Sequence, residues 1–341
     1  MSFIQIDYRF FSKTVISVKE RMRNHFIETD LSSPYLNIRI DMSSCVKGEL
    51  ISGDFLLANP IQKGNRFETG NLKYMSIVIF FFLIGFAGLS QNVNRVISLA
   101  PSITENLYLI GAQNKLVGCT SFCTQAIADG KAQVGSTIDV NIEKILSLKP
   151  DLVLAMLLTK PQDIETMRRL GIKVEIFPSP KNFDEICLQT LEIAKMTGNE
   201  KEANSIVLKT KHEVDSLKLS CRKHTEKQKI FFQLGANPIF TVLENIFMND
   251  YILFCNAENI FSDLKKGSVT RESVIKKNPD LIIIATMGGF GVVEKKTWES
   301  YTALKAAKNN KIFLIDSETS CSPTPANFVK AFADVVKFIN Q

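Results

Sequence analysis

Polar and apolar positions along the chain switch repeatedly between a helical and a strand period, and one such switch occurs twice in nearly the same words. NIEKILSLKPDLVLA runs over Asn141–Ala155, and TRESVIKKNPDLIIIA over Thr270–Ala285. In each, a glutamate (Glu143, Glu272) stands seven residues before a proline (Pro150, Pro279), with an amphipathic run between them. Pro-Asp then opens an unbroken apolar run that includes β-branched residues. Proline forbids helix continuation and pushes the residue before it towards extended geometry. LVLA and LIIIA are apolar on both faces, which suits a parallel strand covered on both sides. The unit is helix, tight stop, buried strand. Its recurrence predicts two α/β lobes of related build, a cleft between them, and one partner touching the matched acid of each lobe.

Other segments extend the pattern. RVISLA (Arg95–Ala100) is the first strand, followed by a helix capped by Ser102 or Thr104, with Glu105 in its first turn and Gly111 as its stop. KLVGCT, QVGS, DLVLAM and KVEIFP add short strands that alternate with helices such as Gln162–Leu170, a lobe with a mostly parallel sheet closing near Pro180. From Asn182 to about Lys227 no strand signal occurs. One helix covers Asn182–Thr197 and ends at Gly198; Asn199 caps the next, over Glu200–Thr225, whose apolar stripe is Ala203, Ile206, Val207, Thr210, Val214, Leu217 and Cys221. At 1.5 Å per residue such a helix spans roughly 39 Å, enough to cross between lobes. KIFFQLG at Lys229 opens the second lobe, which continues through a helix at Asn249–Cys255, the second copy of the repeat and KIFLID (Lys311–Asp316) to a helix from Pro325 to Asn340.

The stretch before these lobes differs. Met75–Ser90, MSIVIFFFLIGFAGLS, has the length of a secretory apolar region, preceded by Lys73 and followed by a small-residue site and Gln91. It is short for a membrane span, which needs about 20 apolar residues. The expected organisation is an upstream extension over 1–74, a signal peptide over 75–90 cleaved near Gln91, an N-terminal lobe over 91–181, a helical segment over 182–227 and a C-terminal lobe over 228–341. The mature chain is expected to be exported.

Charge and chemistry narrow the function. The chain has 341 residues and a net charge of +6, with basic and acidic positions interspersed, so nucleic acid is not indicated as a partner. It has 3 histidines, His25, His212 and His224, none placed as a catalytic base or zinc ligand. Six of its 7 cysteines follow the apolar block. Their spacing leaves pairing open, lacks the doublets of a zinc site, and fits small buried hydrophobes, the C-x3-C of Cys119 and Cys123 included. GGFG at Gly288–Gly291 follows a strand as a dinucleotide loop would, but it lacks the third glycine of that fingerprint. A mobile loop at the cleft mouth is the better reading, and an exported α/β enzyme with a nucleotide-like site there is the alternative. Without a catalytic constellation, cofactor or metal pattern, a binding protein is expected and not an enzyme.

RVISLAPSITENLYLIGAQNKLVG, VGSTIDVNIEKILSLKPDLVLA, LGIKVEIF, FFQLGANPIFT, NAENIF and VTRESVIKKNPDLIII, in that order, resemble the periplasmic substrate-binding proteins of type II ABC importers for vitamin B12 and ferric siderophores. The resemblance is closest to the B12-binding members and covers nearly all of Arg95–Gln341. It implies a class III periplasmic binding protein fold, with two Rossmann-like lobes joined by a single long rigid helix. It also implies a bulky ligand, a corrinoid or iron chelate, held in the cleft and delivered to an ABC permease dimer with its ATPase. A haem or naked-metal receptor is disfavoured by the scarcity of histidine and the lack of a tyrosine pair near the cleft. Glu143 and Glu272 match the family's two permease-docking glutamates. In the pocket the resemblance places Phe122 and Phe240 as retained aromatics. It sets Thr137, Met156 and Lys266 where tryptophans stand, Glu318 as the acid, and Thr324 where an arginine is common.

Overall fold

The computed structural model describes residues 3–7, 27–30, 35–40, 93–221, 227–285 and 289–341, in two units, Met1–Gly88 and Leu89–Gln341. In the first, β1 (Phe3–Asp7), β2 (Ile27–Asp30) and β3 (Tyr35–Ile40) form an antiparallel sheet of order β1-β3-β2. The expected signal segment Met75–Ser90 and the basic stretch Lys19–Arg23 lie outside the described residues. Among the described residues no helix is long and apolar enough to cross a membrane.

The second unit begins with a parallel sheet of β4 (Val96–Ser98), β5 (Leu116–Cys119), β6 (Ala132–Gln133), β7 (Leu152–Met156) and β8 (Val174–Phe177), ordered β6-β5-β4-β7-β8. Between the strands run α1 (Pro101–Leu109), α2 (Thr124–Ala128), α3 (Ile142–Ser147) and α4 (Pro161–Arg169). Two long helices follow, α5 (Phe183–Thr197) and α6 (Glu200–Cys221). The second sheet holds β9 (Lys229–Ala236), β10 (Ile239–Thr241), β11 (Glu258–Asn259), β12 (Ser268–Val269), β13 (Leu281–Ala285) and β14 (Ile312–Ile315). Its main path is β12-β10-β9-β13-β14, with β9, β13 and β14 parallel and β11 beside the start of β9. The helices are α7 (Asn249–Leu253), α8 (Arg271–Lys277), α9 (Gly291–Glu299), α10 (Lys305–Lys308), α11 (Ser317–Ser320) and α12 (Pro325–Asn340).

The repeat forms the same unit twice, α3–β7 and α8–β13. Both strands are wholly buried, and alternate residues divide between the two faces of the sheet: Leu152, Leu154 and Met156 enter one core, Val153 and Ala155 another. Leu281, Ile283 and Ala285 separate from Ile282 and Ile284 in the same way. Burying each large aliphatic side chain contributes roughly 1.5–3 kcal/mol, so central placement is the low-energy choice for a run apolar on both faces. The Pro-Asp pair carries a second device. The Asp151 carboxylate accepts the backbone N–H groups of Asn94 and Arg95 at 2.9 Å each, and Asp280 accepts that of Lys229 at 2.9 Å. Each aspartate thereby fastens its strand to the first strand of its own lobe.

The residues before the prolines differ from expectation. Lys149 and Asn278 take φ of +46° and +47°, left-handed rather than extended. Each closes a helix whose last carbonyls need donors, and the Asn278 N–H reaches the Val274 and Ile275 carbonyls. The first helix also starts differently. α1 begins at Pro101 with no side-chain cap, because Pro suits the first helical position and the Ser98 and Thr104 hydroxyls are engaged with Ala100 O and with each other. Glu105 consequently lies beyond the first turn.

α5 and α6 tie the lobes together. Phe183, Ile186 and Cys187 of α5 pack in the C-terminal lobe's core, whereas Ile193 and Ala194 pack in that of the N-terminal lobe. α6 runs back: Ala203 belongs to the N-terminal core, and Val207, Val214 and Cys221 to the other. The described part of this long helix is 22 residues, roughly 33 Å, and residues 222–226 of the expected span lie outside the described residues. Asn199 does not cap it through its side-chain oxygen; its amide instead donates to Ile110 O at 3.1 Å, anchoring the helix start to the N-terminal lobe. At the other end Cys221 is disulfide-bonded to Cys255, settling one pairing that spacing left open.

Asp151→Ala and Asp280→Ala are each expected to lower unfolding free energy by about 1 kcal/mol, the net worth of an exposed hydrogen-bonded clamp. Asp151→Ala, which loses two bonds, should cost more in urea denaturation; unchanged midpoints in both variants would remove the clamp from the account of the fold.

Candidate functional site

In open α/β sheets ligands bind outside the carboxyl ends of the strands, where the strand order reverses. Residues from both lobes meet there around a cavity of about 440 Å³. Pro101, Thr104 and Glu105 follow β4, Phe122 to Gln125 follow β5, Glu318 and Thr319 follow β14, and Asn327 and Lys330 come from α12. The carboxyl ends of the two sheets therefore face one space.

The cavity is crossed by a hydrogen-bonded acid. The Glu105 carboxylate on α1 accepts the Ser322 hydroxyl at 2.6 Å and the Asn327 side-chain amide at 2.7 Å, both from the opposite lobe. Burial raises its pKa above the usual carboxylate value, outweighing the opposing effect of these two donors; Cys123 and Glu318 nearby push the same way. Nothing in the local sequence marks Glu105 as a cleft residue. The available signal is positional: a helix that follows a parallel strand begins at the strand's carboxyl end.

The residues expected in the pocket fall in three groups. Phe122 and Glu318 line the cavity, and Phe122 is 70% exposed. Phe240 lies on β10, 44% exposed, with its ring against Gly235 and Gly267. A Cβ at Gly235 would stand 3.1 Å from Phe240 Cδ2, so glycine there allows the ring its seat. Lys266 is exposed one residue before Gly267, and Thr137 is half-buried in the loop after β6. Met156 ends β7 and packs in the N-terminal core. Thr324 lines the cavity and caps α12, accepting the Asn327 N–H at 3.2 Å. Further apolar exposure gathers at the same ends of the strands: Leu157 and Leu158 after β7, and Val292 and Val293 at the start of α9. Of the GGFG loop, Gly288 lies outside the described residues, while Gly289 is left-handed at φ +74° and Gly291 opens α9.

Glu143 and Glu272 occupy equivalent exposed places in the first turns of α3 and α8. Each helix reverses tightly into its strand, so each glutamate stands at the carboxyl end of its sheet, the side on which the cavity opens. Glu272 is held below the usual carboxylate range by its own backbone N–H and then by the Thr270 hydroxyl. Beside it Arg271 pairs with Glu294 at 2.7 Å and lies 4.8 Å over the Trp298 ring. Gln233 joins them, donating to Glu294 at 2.8 Å and accepting from Trp298 Nε1 at 2.6 Å. Among the described residues there is no group of three or more His, Cys, Asp or Glu that could hold a metal ion.

Two lobes whose strand ends meet at one cleft, bridged by long helices, agree with the profile described as periplasmic binding protein, which matches residues 96–319. The chain belongs to the periplasmic binding protein family. Among its relatives, the uncharacterized ABC transporter substrate-binding lipoprotein YvrC of Bacillus subtilis (strain 168) is 28% identical over 238 residues, 67% of this chain and 75% of that protein. The vitamin B12-binding protein of Yersinia pestis (strain Pestoides F) is 30% identical over 200 residues, 58% of this chain and 71% of that one. Among solved structures, a possible iron-binding (periplasmic solute-binding) protein from Staphylococcus epidermidis ATCC 12228 superposes with a TM-score of 0.65 at 30% identity, over 74% of this chain and all of the other. As a periplasmic binding protein this chain has the expected class of fold, two α/β lobes with parallel strands.

Glu105→Ala is expected to cost about 1–3 kcal/mol, because two cross-lobe donors lose their acceptor in a partly buried site. Glu105→Gln keeps an acceptor without the charge. A carboxyl group whose folded pKa is raised contributes stability that is full at pH below its unfolded value and is lost as pH rises through the folded one. Relative to wild type, Glu105→Gln should therefore gain stability as pH rises from acid to neutral; chemical denaturation at acid and neutral pH reads the difference, and a pH-independent gap would contradict it.

Proposed function

We propose that this periplasmic binding protein is the exported substrate-binding component of an ABC importer. It captures a corrinoid, ferric siderophore or similar bulky chelate in the interlobe cleft and delivers it to a permease dimer with its ATPase, without chemistry of its own. The observation that carries this reading is the cleft itself: a cavity shared by both lobes and lined by the exposed Phe122. Large exposed apolar side chains gathered in one place mark a surface that a partner or ligand covers. A ligand with broad apolar faces and hydrogen-bonding edges suits aromatic walls set beside Glu105, Glu318, Asn327 and Lys330. Thr137, Met156 and Lys266 are assigned to the ligand by their places in the family motifs, Met156 through repacking of its core position. The relatives named for vitamin B12 and the neighbour titled as possibly iron-binding define the two ligand classes to test.

Export completes the assignment. We place the signal peptide at 75–90, with a mature N-terminus near Gln91 followed by lobes over 91–181 and 228–341 joined by the helical segment 182–227. N-terminal sequencing of the exported form tests it, and a mature chain beginning before Met75 would refute it.

Ultraviolet-visible titration with cyanocobalamin, haemin and ferric siderophores tests the ligand reading. A Kd of about 1 μM or tighter, near −8 kcal/mol, is expected for one corrinoid or siderophore; no saturable binding to any of them would overturn it. Docking is tested separately. Truncating one partner of a desolvated charge pair costs about 2–5 kcal/mol. Glu143→Ala and Glu272→Ala should therefore weaken permease binding and uptake while leaving stability within about 0.5 kcal/mol, as for other surface substitutions. Lysine at either position should be worse. Normal transport by the double alanine variant would reduce both glutamates to helix N-terminal acids that merely complement the helix dipole.

A further inference from the structure

The charge on the cavity wall runs against the charge of the chain. The whole sequence is basic, at +6, yet the charged side chains that line the cavity are Glu105, Glu318 and Lys330, two acids against one base. Thr324, in the same wall, is uncharged and spends its hydroxyl oxygen on the start of α12. Free hydrogen-bonding capacity is biased the same way. Several donors of the wall are already used within the protein: the Tyr108 hydroxyl donates to Asp129 at 2.6 Å, the Thr104 hydroxyl to Ser98 Oγ at 2.8 Å, and the Asn327 amide to Glu105 at 2.7 Å. The acceptors are less committed. Ser322 and Asn327 both bond the same oxygen of Glu105, Oε2. Among the described residues no group hydrogen-bonds Glu105 Oε1, and neither Glu318 nor Lys330 has an ion-pair partner.

A carboxylate oxygen left without a donor in a partly buried wall is stabilised by an incoming N–H or cation and destabilised by an incoming anion. Both effects grow as a ligand displaces water, because the local dielectric falls. Burial already disfavours the charged form of Glu105, and the Glu318 carboxylate adds to that effect, so the two acids feel one another across the cavity.

We propose that the cleft selects its cargo by charge: it takes a chelate of zero or positive net charge whose edge carries N–H donors, and Glu105 with Glu318 turns away anionic counterparts of the same shape. The inference rests on the ligand reading above and narrows it to a corrinoid edged with carboxamides or a ferric hydroxamate, as against a haem with its propionates or a ferric catecholate. An amide N–H or ammonium group of the ligand takes Glu105 Oε1, while Oε2 keeps its two cross-lobe donors. The ligand therefore adds to the tie between the lobes instead of competing with it. An amide carbonyl beside that N–H suits Lys330, so one carboxamide edge satisfies the base as well as the acids.

Two matched pairs of probes hold shape nearly fixed and change charge. Cyanocobalamin is set against its derivative with side-chain carboxamides hydrolysed to carboxylates, and ferrioxamine B against the same complex with its terminal amine succinylated to a carboxylate. The full chain is titrated with each, and with haemin and a ferric tris-catecholate, by ultraviolet-visible absorbance. In whichever pair binds, the amide or amine member is expected to bind about tenfold or more tighter at low salt, with the gap shrinking as salt is raised. Glu318→Lys and Glu105→Gln should each reduce that ratio by about threefold, the size expected of one exposed or half-exposed charge. Equal affinities within a pair, or tighter binding of haemin or the catecholate than of every uncharged or cationic probe, would overturn charge selection and leave the receptor reading standing. A ratio unmoved in both variants would overturn the part given to the two acids. No saturable binding of any probe would instead sink the receptor reading, and this inference with it.

Discussion

Burial of two antiparallel helices in two separate hydrophobic cores is the constraint on which the cleft depends. α5 and α6 each place one end of their apolar stripe in the N-terminal core and the other in the C-terminal core. Neither lobe can rotate far without exposing part of both stripes, and each large side chain withdrawn from a core costs roughly 1.5–3 kcal/mol. Polar ties hold the stripe ends in register. The Thr190 hydroxyl donates to Asn106 at 2.6 Å on the N-terminal side, and the Phe183 N–H donates to Asp250 at 2.8 Å on the other. The Cys221–Cys255 disulfide fastens the far end of α6. This arrangement favours a cleft of nearly constant opening.

The repeated unit explains what that cleft contains. A buried parallel strand sends its side chains into the sheet's two faces, so the carboxyl end of the strand is where the chain can vary without disturbing the core. Both lobes use that freedom alike, with exposed apolar residues and polar cavity groups in the loops that leave their strands. The same reversal from helix to strand lifts Glu143 and Glu272 to the cleft side. Glu272 stands on an especially firm base, since Arg271 beside it is bound into the Glu294–Gln233–Trp298 network of α9 and β9. Gln233 also donates to Gly235 O at 2.9 Å, beneath the ring of Phe240. One polar network therefore supports the exposed ring of Phe240 and the helix that carries Glu272.

Charge in the cleft is governed by burial more than by the number of acids. Glu105 sits among hydrogen-bond donors, yet loss of water is the larger effect and favours its neutral form. Glu272, fully solvated and hydrogen-bonded by backbone and hydroxyl, is driven the opposite way. One acid lines the cavity between the lobes and the other is exposed at a helix start; their environments drive their charge in opposite directions.

Much of this was legible in the sequence because it depends on local rules. Periodicity located the strands; the Asn182 cap, with its oxygen accepting the Glu185 N–H, and the left-handed Gly198 bounded α5; and the long apolar stripe marked α6 as a bridge. The duplicated Pro-Asp unit pointed to two lobes because a run apolar on both faces has no other low-energy place. What remained hidden depends on residues far apart in the chain. Glu105 meets Ser322 and Asn327 more than two hundred residues away, and no pattern along α1 encodes that meeting. Met156 ends β7 among the residues of the N-terminal core, a packing that its place in the motif does not reveal. Lys149 and Asn278 preceded proline and suggested extended backbone, whereas closing the helix required a left-handed residue. The sequence by itself determined which segments are buried and in what form; only the tertiary structure decided which side chains confront one another across the cleft, because that depends on how two separately built sheets are held by a shared pair of helices.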